Sequence, residues 1–285
     1  MNDGSKTVES RFLLGALICA LLLIVNYFAL VGTPWGRQFD HDAFLGRKML
    51  GKEIITFDSD ILKLVRKRTL FLGAVATLAI AVMRRCTFVG VVAVAAFGCA
   101  VVGAVVLKRV LPWHALVPSD AMLNSGFQTN TYPSGHTTVV TSLALSLLLV
   151  SPSRWRPWLA IAGGYISATV ATGVLFVGAH RPSDALGALA WSGFCMNVAA
   201  AFVVRLQGRH RLGYAFPNRA VFRIAFGILA SAAIWLFSAA AAPAYPLTAP
   251  PFFVLTVSII SGAFTLIAWY GWQLRAVDWP ADSIV

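Results

Sequence analysis

Lys108, Pro133-Ser134-Gly135-His136 and His180-Arg181-Pro182-Ser183-Asp184 each fall in a polar break between apolar runs of near bilayer-spanning length. Under simple alternation of the spans, all three reach the same membrane face, where gathered ionisable groups read as functional. A Ser-Gly pair entering a helix offers backbone N–H groups and the positive end of the helix dipole to an oxyanion. His180 and Asp184 are four residues apart. At helical spacing the carboxylate holds one imidazole nitrogen and leaves the other as a nucleophile. Together with a lysine, these groups make a set suited to handling phosphate.

Each segment also has a plainer reading. Pro-Ser-Gly can simply punctuate a loop before a helix, Ser183 and Asp184 can cap a helix, and Lys108 can snorkel at a helix end. Their agreement on one face favours the chemical reading, because independent accidents rarely coincide in this way.

The elements that must position these residues are membrane helices. Of 285 residues, 58% are hydrophobic and 12% charged, and mean hydropathy is +0.76; an ordinary soluble domain carries about 25% charged residues. Apolar stretches run over about 13–33, 70–83, 87–107, 137–150, 157–178, 185–204, 221–242 and 251–272. Most are near the roughly 20 residues a spanning helix needs. The expected fold is therefore an all-α polytopic transmembrane bundle of about eight spans in a single integral domain. The first run lacks a small-residue cleavage pattern, so no cleavable signal peptide is expected.

The formal charge of +12 is spread over interhelical segments without a nucleic-acid module, so membrane topology accounts for it better than nucleic acid does. Arg84-Arg85, Arg154 with Arg156, and the Arg205 to Arg223 connection alternate with uncharged or site-bearing connections. If the arginine-rich loops are cytoplasmic, the three motifs lie on the opposite face and both termini lie inside. The 34–68 connection pulls the other way, with eight Lys or Arg against five Asp or Glu. Within it, Asp58 to Arg68 reads as an interfacial helix capped by Ser59 or Asp60. Asp40-His41-Asp42 superficially suggests a metal site, but adjacent residues point in different directions on any regular element. Cys19, Cys86, Cys99 and Cys195 lie in or beside apolar runs without CxxC spacing, and read as free thiols.

These residues resemble the type 2 phosphatidic acid phosphatase superfamily, membrane phosphatases related in fold to vanadium haloperoxidases. That family carries a lysine-led first motif ending in Arg-Pro, a PSGH second motif, and a third motif of Ser-Arg, five residues, His, three residues, Asp. The resemblance spans roughly residues 70–204. It implies a six-helix core, here within about 13–204, with an additional helical pair over about 221–272. It also implies metal-independent phosphoryl transfer without a cofactor. His180 would attack phosphorus, Asp184 would orient it, and His136 would protonate the leaving oxygen. Lys108, Ser134 and the Gly135 N–H would hold the phosphate oxygens.

Two family positions differ in kind. Ala115-Leu116 stand where Arg-Pro is expected, and Gly173-Val174 where Ser-Arg is expected. Losing two charge-assisted phosphate contacts costs several kcal/mol of transition-state stabilisation. Arg181 and Arg109, with His114 nearby, are the candidate replacements. The resulting expectation is a phosphatase acting on a lipid phosphate or polyprenyl (isoprenoid) pyrophosphate, on the non-cytoplasmic face of a bacterial-type plasma membrane. The alternative is a catalytically degenerate member that binds anionic lipid headgroups without turnover. A transporter fits less well, since the charges cluster at helix ends rather than at the bilayer midplane.

Overall fold

The computed structural model describes residues 3–65, 67–112, 130–207, 249–277 and 279. The expected 221–242 span, His114, Ala115 and Leu116 lie outside these residues. Nine α-helices make up the described chain, with no strand among the described residues. Helix α1 (Asp3–Asn26) continues as a π-helical stretch, Tyr27–Gly32. Thr33 then accepts the Gly36 N–H on its side chain and Pro34 supplies a preset φ, which together start α2 (Pro34–Gly46). A short 3-10 turn, Arg47–Met49, leads to α3 (Lys52–Leu64).

The bundle then runs through α4 (Lys67–Met83), α5 (Thr87–Val110), α6 (Gly135–Val150), α7 (Arg156–Phe176), α8 (Pro182–Gln207) and α9 (Ala249–Gln273), closed by a 3-10 turn at Leu274–Ala276. Five stretches are long and apolar enough to span a bilayer: Val8–Gly32, Thr87–Val110, Arg156–Phe176, Pro182–Gln207 and Ala249–Gln273. Arg68–Met83 and Gly135–Val150 are shorter apolar helices. The protein is a multi-pass integral membrane protein.

The 34–68 connection differs from expectation. It is largely helical, and its second helix begins at Gly51–Lys52 rather than at Asp58. Ser59 and Asp60 therefore lie inside α3 and cap nothing. The amphipathic pattern starts earlier, with Ile54 and Ile55 joining Leu62 against a buried cluster around Phe44, Val174, Leu175 and Phe252. That cluster docks α2 and α3 onto α7 and α9 at the site end of the bundle.

Helix α8 is the central element, packed along α1 and against α5, α6 and α9. Lipid gives helices no hydrophobic drive to associate, so small residues that let backbones approach must supply it. Gly187 shows the closeness: a Cβ there would sit 2.4 Å from the Tyr132 ring. The main core gathers Phe12, Leu145, Leu148, Leu149, Met196 and Ile267. At the end remote from the motifs, buried Arg156 donates to the carbonyls of Ser151 (3.1 Å), Leu274 (2.6 Å) and Val277. Trp279 Nε1 closes the same region by donating to the Leu149 carbonyl at 2.6 Å.

Candidate active site

Three helix ends meet at the opposite end of the bundle: the C-terminus of α5 and the N-termini of α6 and α8. Ser134 is the N-cap of α6, with its Oγ accepting from Thr137 N at 3.5 Å and from Thr137 Oγ1 at 3.2 Å. Its backbone N–H donates to the Asp184 carbonyl at 2.9 Å, which ties the start of α6 to the start of α8. Lys108, in the last turn of α5, brings its Nζ to 3.9 Å from the position a Cβ would take at Gly135. The ammonium is thus held beside the first turn of α6. It lies within electrostatic reach of Asp184, and half-buried His136 lies within reach of both His180 and Lys108.

His180 precedes the helix that sequence spacing assigned to it. It sits in the bend after α7, and α8 begins only at Pro182. The pairing with Asp184 still forms, with His180 Nδ1 to Asp184 Oδ2 at 3.0 Å. The same oxygen accepts from Arg181 N at 3.2 Å and from Thr131 Oγ1 at 2.6 Å. Asp184 therefore caps the helix start and holds the imidazole at once, so the two readings of its role merge. With Nδ1 engaged, Nε2 is the nitrogen left for chemistry.

A second buried acid was missed in the sequence. Asp40 of α2, 1% exposed, accepts the Ser183 N–H at 2.9 Å on one carboxylate oxygen and the Ser183 hydroxyl at 2.7 Å on the other. It caps α8 from 143 residues away. Burial pushes its carboxyl up to about 7, against the opposing pull of the Ser183 hydrogen bonds. The signal was present as an acid on an apolar stripe: Gly36, Asp40, Ala43 and Phe44 form the buried face of α2. Asn26 adds a third tie, donating to the Ser183 carbonyl at 2.9 Å and to the Tyr132 hydroxyl at 3.2 Å.

The two candidate replacement arginines part company. Arg181 is buried at the site, within electrostatic reach of Asp40 and His41, and borders a narrow cleft with Arg37, Thr131 and Asp184. Burial, then Arg181, disfavours the charged form of His41. Arg109 lies exposed on the flank of α5.

Where the family has Ser-Arg, Val174 is fully buried and its carbonyl accepts from Ala179 N and His180 N, both at 2.9 Å. The missing side chain at Gly173 faces Asp58 of α3, 3.4 Å from the Cβ position. Burial pushes the Asp58 carboxyl up to about 6. Asp58 thus stands beside the position of the family's Ser, and a buried valine occupies that of its Arg.

Comparison with known proteins finds one family: the model of the PAP2 superfamily matches residues 84–208, the segment from the end of α4 to the end of α8. No curated protein matches the chain and no solved structure does. Over that segment the chain is similar to the PAP2 superfamily, a likeness that suggests phosphatase activity on phosphorylated lipid-like substrates.

Proposed function

We propose that this protein removes the terminal phosphate from a membrane lipid phosphate or polyprenyl pyrophosphate through a phosphohistidine on His180. Nε2 of His180 attacks phosphorus, forming the P–N bond as the P–O bond to the lipid breaks, and His136 gives its proton to the departing oxygen. Water then attacks phosphorus and breaks the P–N bond. His136 accepts the water proton, and inorganic phosphate leaves. Asp184 holds the imidazole through Nδ1. Lys108, Ser134, the Gly135 N–H and Arg181 offset charge on the phosphate oxygens, with Arg109 at the rim. No metal or cofactor takes part in this scheme.

The observation that carries the reading is the buried His180–Asp184 pair at 3.0 Å, set beside the N-terminus of α6. A mere anion-binding site needs cations and helix N-termini. It has no use for an imidazole oriented by an acid. The second reading, binding of anionic lipid headgroups without turnover, draws support from the buried Val174 that stands where the family has Arg.

Phosphate release from detergent-solubilised protein in chelator, over a panel of lipid phosphates and pyrophosphates, tests the two. Release abolished by His180→Ala supports the phosphatase. Folded protein that binds a lipid phosphate but releases nothing supports the binder. Arg84, Arg85, Arg154 and Arg156 all lie at the end opposite the site, which supports a site on the non-cytoplasmic face of a bacterial-type plasma membrane.

A further inference from the structure

One apolar cleft within the membrane-embedded part of the fold reaches the site. It lies between α1 and α9 with α8 as its floor, has a volume of about 420 Å3, and is walled chiefly by Leu22, Val25, Leu186, Leu189 and Leu266. Its site-facing end is formed by Asn26 and Leu30. Leu30 also borders the polar cleft that holds Arg181 and Asp184, and Asn26 is hydrogen-bonded to the Ser183 carbonyl. Leu186 follows Asp184 by half a turn of α8. The apolar cleft and the phosphate-handling residues are therefore continuous.

A larger apolar cleft, about 930 Å3, lies between α5 and α8. It ends at Gly103 and Trp191, roughly 7 Å along α5 from Lys108 and roughly 10 Å along α8 from Asp184 at the helical rise. No residue of the site lines it. Size alone would favour this second cleft, and continuity favours the first.

We propose that the cleft between α1, α8 and α9 holds the hydrocarbon chain of the substrate whose phosphate sits at His180. The proposal rests on the lipid phosphate reading of the site. From Leu30 to Cys19, another lining residue, the cleft extends along α1 for roughly 16 Å. A long acyl or isoprenoid chain fills that length; a four-carbon chain does not. The volume falls in the range of pockets that bury most of a small ligand. Two of the three walls, α1 and α9, lie outside the segment that matches the family, so residues beyond the matched segment would set the chain-length preference.

Gly262 gives access to the test. A Cβ there meets Leu189 Cδ1 at 3.6 Å and Leu186 Cδ2 at 4.0 Å, ordinary contact distances. A side chain at 262 therefore starts on the cleft wall without a Cβ clash, and leucine is a better helix former than glycine. Phosphate release is measured in detergent for a long-chain alkyl phosphate and for butyl phosphate.

Gly262→Leu is expected to raise KM for the long-chain substrate about tenfold or more, with kcat held and butyl phosphate turnover unchanged. Ser258→Leu, on the same wall, is expected to repeat the pattern, which guards against a folding defect in either variant. Gly98→Leu is the control: Gly98 lines the larger cleft and a Cβ there meets nothing within 4 Å. It is expected to change neither substrate. Equal effects on both chain lengths, or no effect from either cleft variant, overturn the proposal and leave the cleft to bulk bilayer lipid. A long-chain defect in Gly98→Leu alone assigns the chain to the other cleft. Wild-type protein that releases phosphate from neither substrate, nor from any lipid phosphate or pyrophosphate of the wider panel, overturns the phosphatase reading itself.

Discussion

At the closed end of the bundle a buried cation binds carbonyls, and at the site end buried acids hold the start of a helix beside buried Arg181. Arg156 spends its guanidinium on carbonyls at Ser151, Leu274 and Val277, all just past helix or turn ends. Asp40 and Asp184 instead accept from the N–H groups and side chains at the start of α8. Both arrangements answer the same need, since helix ends leave backbone groups without partners and carry partial charge. Their consequences differ. Arg156 closes its end with protein carbonyls, whereas the acids of the site end fix α8 while Lys108, His136 and His180 stand around them. The difference separates a charge that holds the bundle together from charges that prepare a surface for an anion.

That contrast can be broken first at His180. His180→Ala is expected to reduce phosphate release by at least about 10³-fold with little change in melting temperature, since a nucleophile has no substitute. The mirror experiment at the closed end is Arg156→Met. It is expected to cost about 2–5 kcal/mol of stability by leaving buried carbonyls without a donor, seen as a lower melting temperature, while KM of the folded fraction stays the same. Asp40→Ala should fall between the two, with a loss of about 1–3 kcal/mol from orphaned Ser183 groups and a tenfold or larger fall in kcat. Asp40→Asn, which can still accept the Ser183 N–H, should recover most of the rate.

Asp40 also predicts a pH effect. Its folded value of about 7 lies above the ordinary 3.8, so the folded state holds the proton more tightly than the unfolded chain. The associated stability is full at low pH and is lost as pH rises through about 7. Melting temperature should therefore decline less between pH 4 and 7 in Asp40→Asn than in the wild type. The smallest effect is expected at Arg109, exposed on α5. Arg109→Ala should change phosphate release less than about twofold, as surface charges generally contribute little.

What could be read from the sequence was what depends on neighbours along the chain. Ser134-Gly135 marked the start of α6 because a serine cap and the following apolar run are local signals, and Pro182 to Asp184 marked α8 in the same way. The spacing of His180 and Asp184 brought the right partners together for a partly different reason, since a bend before Pro182 makes the contact where a helical turn was expected. Asp40 could not be paired with Ser183 by any local rule, because their meeting depends on how α2 folds back over α8. The helices of the 34–68 region were underestimated because their charged faces dilute the hydropathy on which span assignment relies. Val174 showed that an arginine was missing, but nothing local showed that Asp58 would stand beside Gly173.

The cap that Asp40 places on α8 bears on how this protein can be divided. Residues 84–208 contain every matched motif, yet the helix carrying Asp184 is anchored by Asp40 and Asn26, both outside that segment. A transplant of the motif-bearing half into another scaffold would carry the reactive groups and leave behind the clasp that holds them. The hereditary unit recognised by sequence is thus smaller than the mechanical unit, and any minimal version of this protein has to begin before α2.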